Sequence, residues 1–167
     1  MLDFKIVNTY IGSNVKALTE NNEVGEIVGL TTPKATTQAN PIRISIQNEK
    51  FPTSFRDSFF DYNEIKLVLH PLSFISKYIG FEGKKIIPIV ELAKEFHKSE
   101  YEVTHYEIVD NFRVKCFVEN SKDRYMYFDI EPGILNNQYK IVEKVRKMLI
   151  DTDGLIDKGL AVDINTL

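Results

Sequence analysis

The chain has 167 residues, 43% hydrophobic and 27% charged, with 11 Phe, 8 Tyr and no Trp. That much apolar and aromatic surface fills a core, which excludes wholesale disorder and fits one large domain or two small subdomains. The net charge of −3 is spread evenly along the chain, which excludes a basic arm, an acidic tail and coating of nucleic acid through bulk charge.

A lone cysteine, Cys116, allows no intrachain disulfide. The opening Met1-Leu-Asp-Phe-Lys-Ile-Val-Asn lacks the basic lead and apolar core of a signal peptide. The apolar runs are too short and too interrupted to cross a bilayer. The expectation is a soluble cytoplasmic protein with no membrane contact.

Residues 2–11 alternate loosely and predict an opening strand, closed by the turn signal Gly12-Ser13-Asn14. Residues 15–19 and 24–31 flank Glu20-Asn21-Asn22-Glu23, the pattern of a hairpin with an Asn-rich loop. Gly25 and Gly29 weaken the second strand and predict bulges or bends. A Thr-rich loop over 31–40 leads to Ile42, Ile44 and Ile46, which alternate with Arg43, Ser45 and Gln47 as a half-buried strand. Residues 51–60 contain Pro52 and read as an edge or loop segment. Residues 65–69 close the series. Five short strands with bends predict a small barrel-like sheet, SH3-like or OB-like, over residues 1–70. A flat sheet covered by later helices is the competitor.

Residues 71–167 read as an α+β subdomain. Pro71 and Pro88 each suit a first helical position, predicting short helices over 72–79 and 88–97. Residues 101–131 predict a three-stranded antiparallel meander. Its core face holds Tyr106, Ile108, Phe112, Val114, Cys116, Val118, Met126, Phe128 and Ile130. The matching registers set Glu107 beside Arg113, Lys115 beside Asp129 and Phe117 beside Tyr127; slipping either by one residue exchanges the apolar and polar faces. A helix over 137–150, capped by Asn136 or Asn137, buries a stripe through Gln138, Ile141 or Val142, Val145 and Met148 or Leu149. It leaves Lys140, Lys144 and Lys147 on a more exposed face, where Glu143 favours an ordinary wet surface over phosphate binding. A short strand follows at 160–164. The fold class is α+β, with units at 1–70 and 71–167.

Chemical signatures are sparse. No P-loop, dinucleotide fingerprint or GxSxG elbow occurs, and Gly80-Phe-Glu-Gly-Lys-Lys lacks the spacing of a phosphate loop and reads as a turn. His70, His97 and His105 form no HxH or HxxxH pair; His97 with Glu100 and His105 with Glu107 are partial clusters only. Cys116 falls in the core-facing phase of its strand, an inert thiol. Asp151, Asp153 and Asp157 lack the twelfth-position ligand of a calcium loop and read as a solvated loop. No catalytic residue, metal site or cofactor is assigned, and the expectation is a non-enzymatic protein. A small hydrolase or nuclease would need carboxylates gathered in space.

The candidate binding residues are Arg113, Lys115, Phe117, Tyr125 and Tyr127, a cation-plus-aromatic mix on the outer face of the meander. Such a face stacks on bases or anchors a protein partner. Glu107, Asp129 and Glu131 stand where they neutralise its charge, and a solvated or helix-covered face is the plain alternative.

Three segments carry a resemblance: Ile65-Lys-Leu-Val-Leu-His-Pro-Leu-Ser, Gly83-Lys-Lys-Ile-Ile-Pro-Ile and Gly154-Leu-Ile-Asp-Lys-Gly-Leu-Ala-Val-Asp-Ile-Asn-Thr-Leu. They resemble small uncharacterised proteins of phages and prophages of Bacteroidota, whose members usually show Arg where this chain has His70. The resemblance covers about half the chain and transfers no functional residues. It implies an accessory product acting in the bacterial host cytoplasm by binding a host protein or a ribonucleoprotein, such as a CRISPR effector. The alternative from another class is a module binding single-stranded nucleic acid through the barrel or the meander face.

Overall fold

The computed structural model describes residues 2, 4–11, 14–30, 42–48, 51–97, 103–118, 121–130 and 139–167. In chain order, the first elements are α1 (Phe4–Tyr10), β1 (Lys16–Thr19), β2 (Val24–Leu30), β3 (Ile42–Asn48), β4 (Phe51–Phe60) and β5 (Ile65–Leu69). A 3-10 turn (Leu72–Ser76), β6 (Ile79–Phe81), β7 (Lys84–Ile86) and α2 (Pro88–His97) follow. Then come β8 (Val103–Ile108), β9 (Arg113–Val118), β10 (Tyr125–Asp129), α3 (Tyr139–Lys147), β11 (Ala161–Asp163) and a closing 3-10 turn (Ile164–Thr166). The α+β class is thus observed. The elements fall into two compact units, Met1–His70 with Asp153–Leu167, and Pro71–Thr152. The division at 70 coincides with the one read from sequence, but residues 153–167 belong with the first unit rather than the second.

The first unit is built on one six-stranded sheet of order β11-β5-β1-β2-β3-β4. No pairing among the described strands joins β11 to β4, so the sheet is open and barrel-like closure is not seen. β5 does not close the series but lies inside the sheet, antiparallel to β1 and parallel to β11. An interior strand is covered on both faces, and Leu67, Val68 and Leu69 are all buried. The β1–β2 hairpin forms as expected; Asn22 takes the left-handed conformation (φ 58°) that Asn tolerates. Of the two glycines, Gly29 sits at a register shift between β2 and β3, whereas Gly25 pairs regularly with Ala17. β4 is an edge strand, as Pro52 suggested. The loop expected at 31–40 lies outside the described residues.

The opening strand is a correction. Residues 4–10 form α1, because the residues that bury are Val7 and Tyr10, three apart and on one helical face, while Phe4 is 44% exposed. The Tyr10 hydroxyl donates to Asp153 Oδ2 at 2.9 Å and ties α1 to the start of the returning segment. Tyr10→Phe is expected to lower stability by about 1 kcal/mol, read as a reduced urea midpoint, since it removes that hydrogen bond.

In the second unit, the helix expected over 72–79 is a single 3-10 turn. Lys77 is already extended (φ −110°, ψ 163°), and Ile79 pairs with Ile86 in a β6–β7 hairpin. Glu82 (φ 48°) and Gly83 (φ 74°) form its two-residue loop, the primed geometry that matches strand twist. Hairpin pairing outcompetes helix extension here because Gly80 weakens any continuing helix. α2 matches its expected bounds and packs on β9 and on the 3-10 turn.

The meander has order β10-β9-β8 with the expected faces. Val114, Cys116, Val118, Phe128 and Ile130 are buried, and Tyr106, Phe112 and Met126 pack against that core; Ile108 is 38% exposed. The registers differ from expectation by a two-residue offset. Glu107 and Tyr127 flank Lys115, Asp129 faces Arg113, and Tyr125 faces Phe117. Each turn has moved by one residue along the chain, which shifts the pairing by two and preserves the faces. α3 is observed over Tyr139–Lys147, with Val142 and Val145 buried and Lys144, Arg146 and Lys147 in its last turn, where cations favour the dipole. Its expected caps, Asn136 and Asn137, and Gln138 lie outside the described residues. No described helix is long and apolar enough to cross a membrane.

Candidate functional site

The five candidate residues come together on the outer face of the meander. Successive residues of a strand point to opposite faces, so burial of Val114 and Cys116 turns Arg113, Lys115 and Phe117 outward, and burial of Phe128 turns Tyr125 and Tyr127 outward. Phe117 is only 9% exposed, because Tyr125 lies beside it with centroids 6.2 Å apart and Lys115 Nζ sits 4.7 Å above its ring. The same ammonium lies 4.1 Å from the Tyr125 centroid, and the Arg113 guanidinium lies 4.8 Å from that of Tyr127. Tyr125 and Tyr127 meet edge to face at 5.7 Å and remain 48% and 46% exposed, so these rings are not helix-covered.

Both cations are matched. Arg113 Nε lies 2.6 Å from Asp129 Oδ1 and its terminal nitrogen donates to Oδ2 at 3.3 Å, a two-point contact. Lys115 Nζ lies 3.9 Å from Glu107. The face is therefore an electrically balanced aromatic patch rather than a basic one. Glu131 lies outside the described residues. His105 also belongs to the face, opposite Phe117 with centroids 5.6 Å apart, and was not singled out from sequence. The expected register sets it against Lys115 on the same face, so alternation from Glu107 was the signal that could have found it.

The other candidates separate. Cys116 is fully buried, and burial pushes its thiol pKa up while Lys94 pulls it down, an unreactive state. His97 is buried against Phe96 and Phe128, with centroids 5.1 and 6.2 Å away, and Glu100 lies outside the described residues. Asp151 is buried and Asp153 holds Tyr10, while Asp157 is exposed, so only part of the acidic stretch is solvated. Lys144 is half-buried and paired with Glu95, which removes it from the wet face of α3. Among the described residues no group of three or more His, Cys, Asp or Glu is arranged to hold a metal ion. A cavity of about 400 Å³ lies in the first unit where β1 ends and β5 begins, with Glu20, Glu64 and Lys66 around Leu2, Leu18 and Ile65. It brings two carboxylates into one cavity, but Glu64 Oε2 is engaged by the Asp61 amide at 2.6 Å as a local turn acceptor.

His70 is buried, and its pKa is lowered from 6.5, first by burial and in opposition to Asp163, which raises it. A depressed folded-state pKa means that the unfolded chain binds the proton more readily. Stability is then full above pH 6.5 and declines as the pH falls below that value toward the folded-state pKa. Urea midpoints taken from pH 7.5 downward are expected to fall, and His70→Gln is expected to flatten that decline.

No family model matches this chain, and comparisons with curated proteins and with solved structures also return no match.

Proposed function

We propose that this chain is a non-enzymatic, phage- or prophage-type accessory protein that binds a host protein or defence nucleoprotein through the outer face of its meander. The observation that carries this reading is the charge-balanced aromatic patch. Arg113 and Lys115 are each matched by a carboxylate, while Tyr125 and Tyr127 stand half-exposed over a buried Phe117. Aromatic and arginine side chains on a rigid sheet are the usual anchors of protein interfaces. The matched carboxylates oppose phosphate approach, which favours a protein over single-stranded nucleic acid at this face. The phage setting, the host cytoplasm and an anti-defence role rest on the sequence resemblance alone.

Affinity capture from lysates of bacteria carrying different defence systems tests this reading. The wild-type chain is expected to retain one stoichiometric protein, and Tyr125→Ala/Tyr127→Ala to lose most of it while remaining folded. Retention of no protein in any host, or equal retention by the double variant, would overturn it.

A further inference from the structure

A second cation–aromatic surface lies in the same unit, on the 3-10 turn and the β6–β7 hairpin, and its electrostatics are the reverse of the meander's. Lys77 Nζ lies 4.5 Å from the Phe74 centroid and Lys85 Nζ lies 4.7 Å from that of Tyr78. Gly80 faces Lys85 across the hairpin. The ion pairs of the described residues engage none of Lys77, Lys84 and Lys85. Glu82 is the one acid between residues 77 and 85. All three lysines are exposed, and Tyr78 is 57% exposed. One face of the Tyr78 ring carries Lys85.

We propose that this hairpin surface binds single-stranded nucleic acid, with Tyr78 stacking on a base and Lys77, Lys84 and Lys85 meeting the flanking phosphates. Every base offers a π-face to an aromatic ring, and unpaired lysines release counterions from phosphate, so the binding is sequence-tolerant and salt-dependent. The uncompensated charge selects a polyanion, and the exposed ring selects one that carries planar bases. Joined to a protein-docking face, the surface suits a nucleoprotein partner.

Fluorescence anisotropy with labelled short oligo-dT and oligo-rU, using the full chain alone, tests the proposal. A log–log salt slope of about −2 is expected, the value for three contacts on a single strand. Lys84→Gln/Lys85→Gln is expected to reduce the slope to about −0.7, and Tyr78→Ala to weaken binding about tenfold. Lys140→Gln/Lys147→Gln, which removes the same charge from α3, is expected to leave binding as in the wild type. Should Tyr78→Ala fail to fold, the two lysine pairs still decide the question. Absence of salt-dependent binding, or equal loss in the two lysine pairs, overturns the proposal. So does polyglutamate binding as tightly as the oligonucleotides, which would assign the surface to an acidic peptide.

Discussion

Leu67→Ala is expected to destabilise the first unit by about 4 kcal/mol, toward the upper end for a buried leucine. Leu67 is fully buried on the interior strand β5, directly opposite Ala17 on β1 and Ala161 on β11. Truncation would leave three alanines in a row across three strands. None of them can extend into the vacated volume, and collapse is resisted because β5 is hydrogen-bonded on both edges. A denaturation midpoint measured by tryptophan-free circular dichroism tests this. A loss under about 1 kcal/mol would mean that β5 is not the interior strand described.

The second large effect is expected in the meander. Val114→Asp should cost more than about 4 kcal/mol, enough to unfold a marginal unit, because a carboxylate would be buried with no partner. Val114 is fully buried and faces Ile108 on one side and Phe128 on the other. Its neighbour Lys115 points the opposite way, where only an ion pair and ring contacts are lost, so Lys115→Gln should cost about 1 kcal/mol. The contrast between adjacent positions tests the assignment of faces. Comparable losses at both would contradict it.

These two positions also mark how far the sequence could be read. The meander's faces were legible because alternation over Phe112 to Val118 is strict and any odd slip exposes the apolar set. Its exact register was not, since moving each turn by one residue keeps the alternation intact. The Pro88 helix was legible because its first-turn proline and apolar face agree, whereas the Pro71 helix lost to a hairpin whose strands are only three residues each. Strands that short carry no period of their own. α1 was misread because Leu2, Phe4 and Ile6 mimic alternation, while the burial of Val7 and Tyr10 depends on tertiary packing. The parallel docking of β11 beside β5 is a long-range pairing that local pattern does not encode, and it moves residues 153–167 into the first unit. At the candidate site, the residue types and their shared face followed from alternation. The matching of Arg113 by Asp129, and the pairing of His105 with Phe117, followed only from the true register.

The most direct test of the docking face is photocrosslinking in a host lysate, with p-benzoylphenylalanine replacing Tyr125 in one preparation and the exposed Glu143 of α3 in another. With docking on this face, one discrete protein adduct is expected from position 125 and none from position 143. Adducts from position 143 alone, or none from position 125 while the wild-type chain still captures a partner, would contradict it.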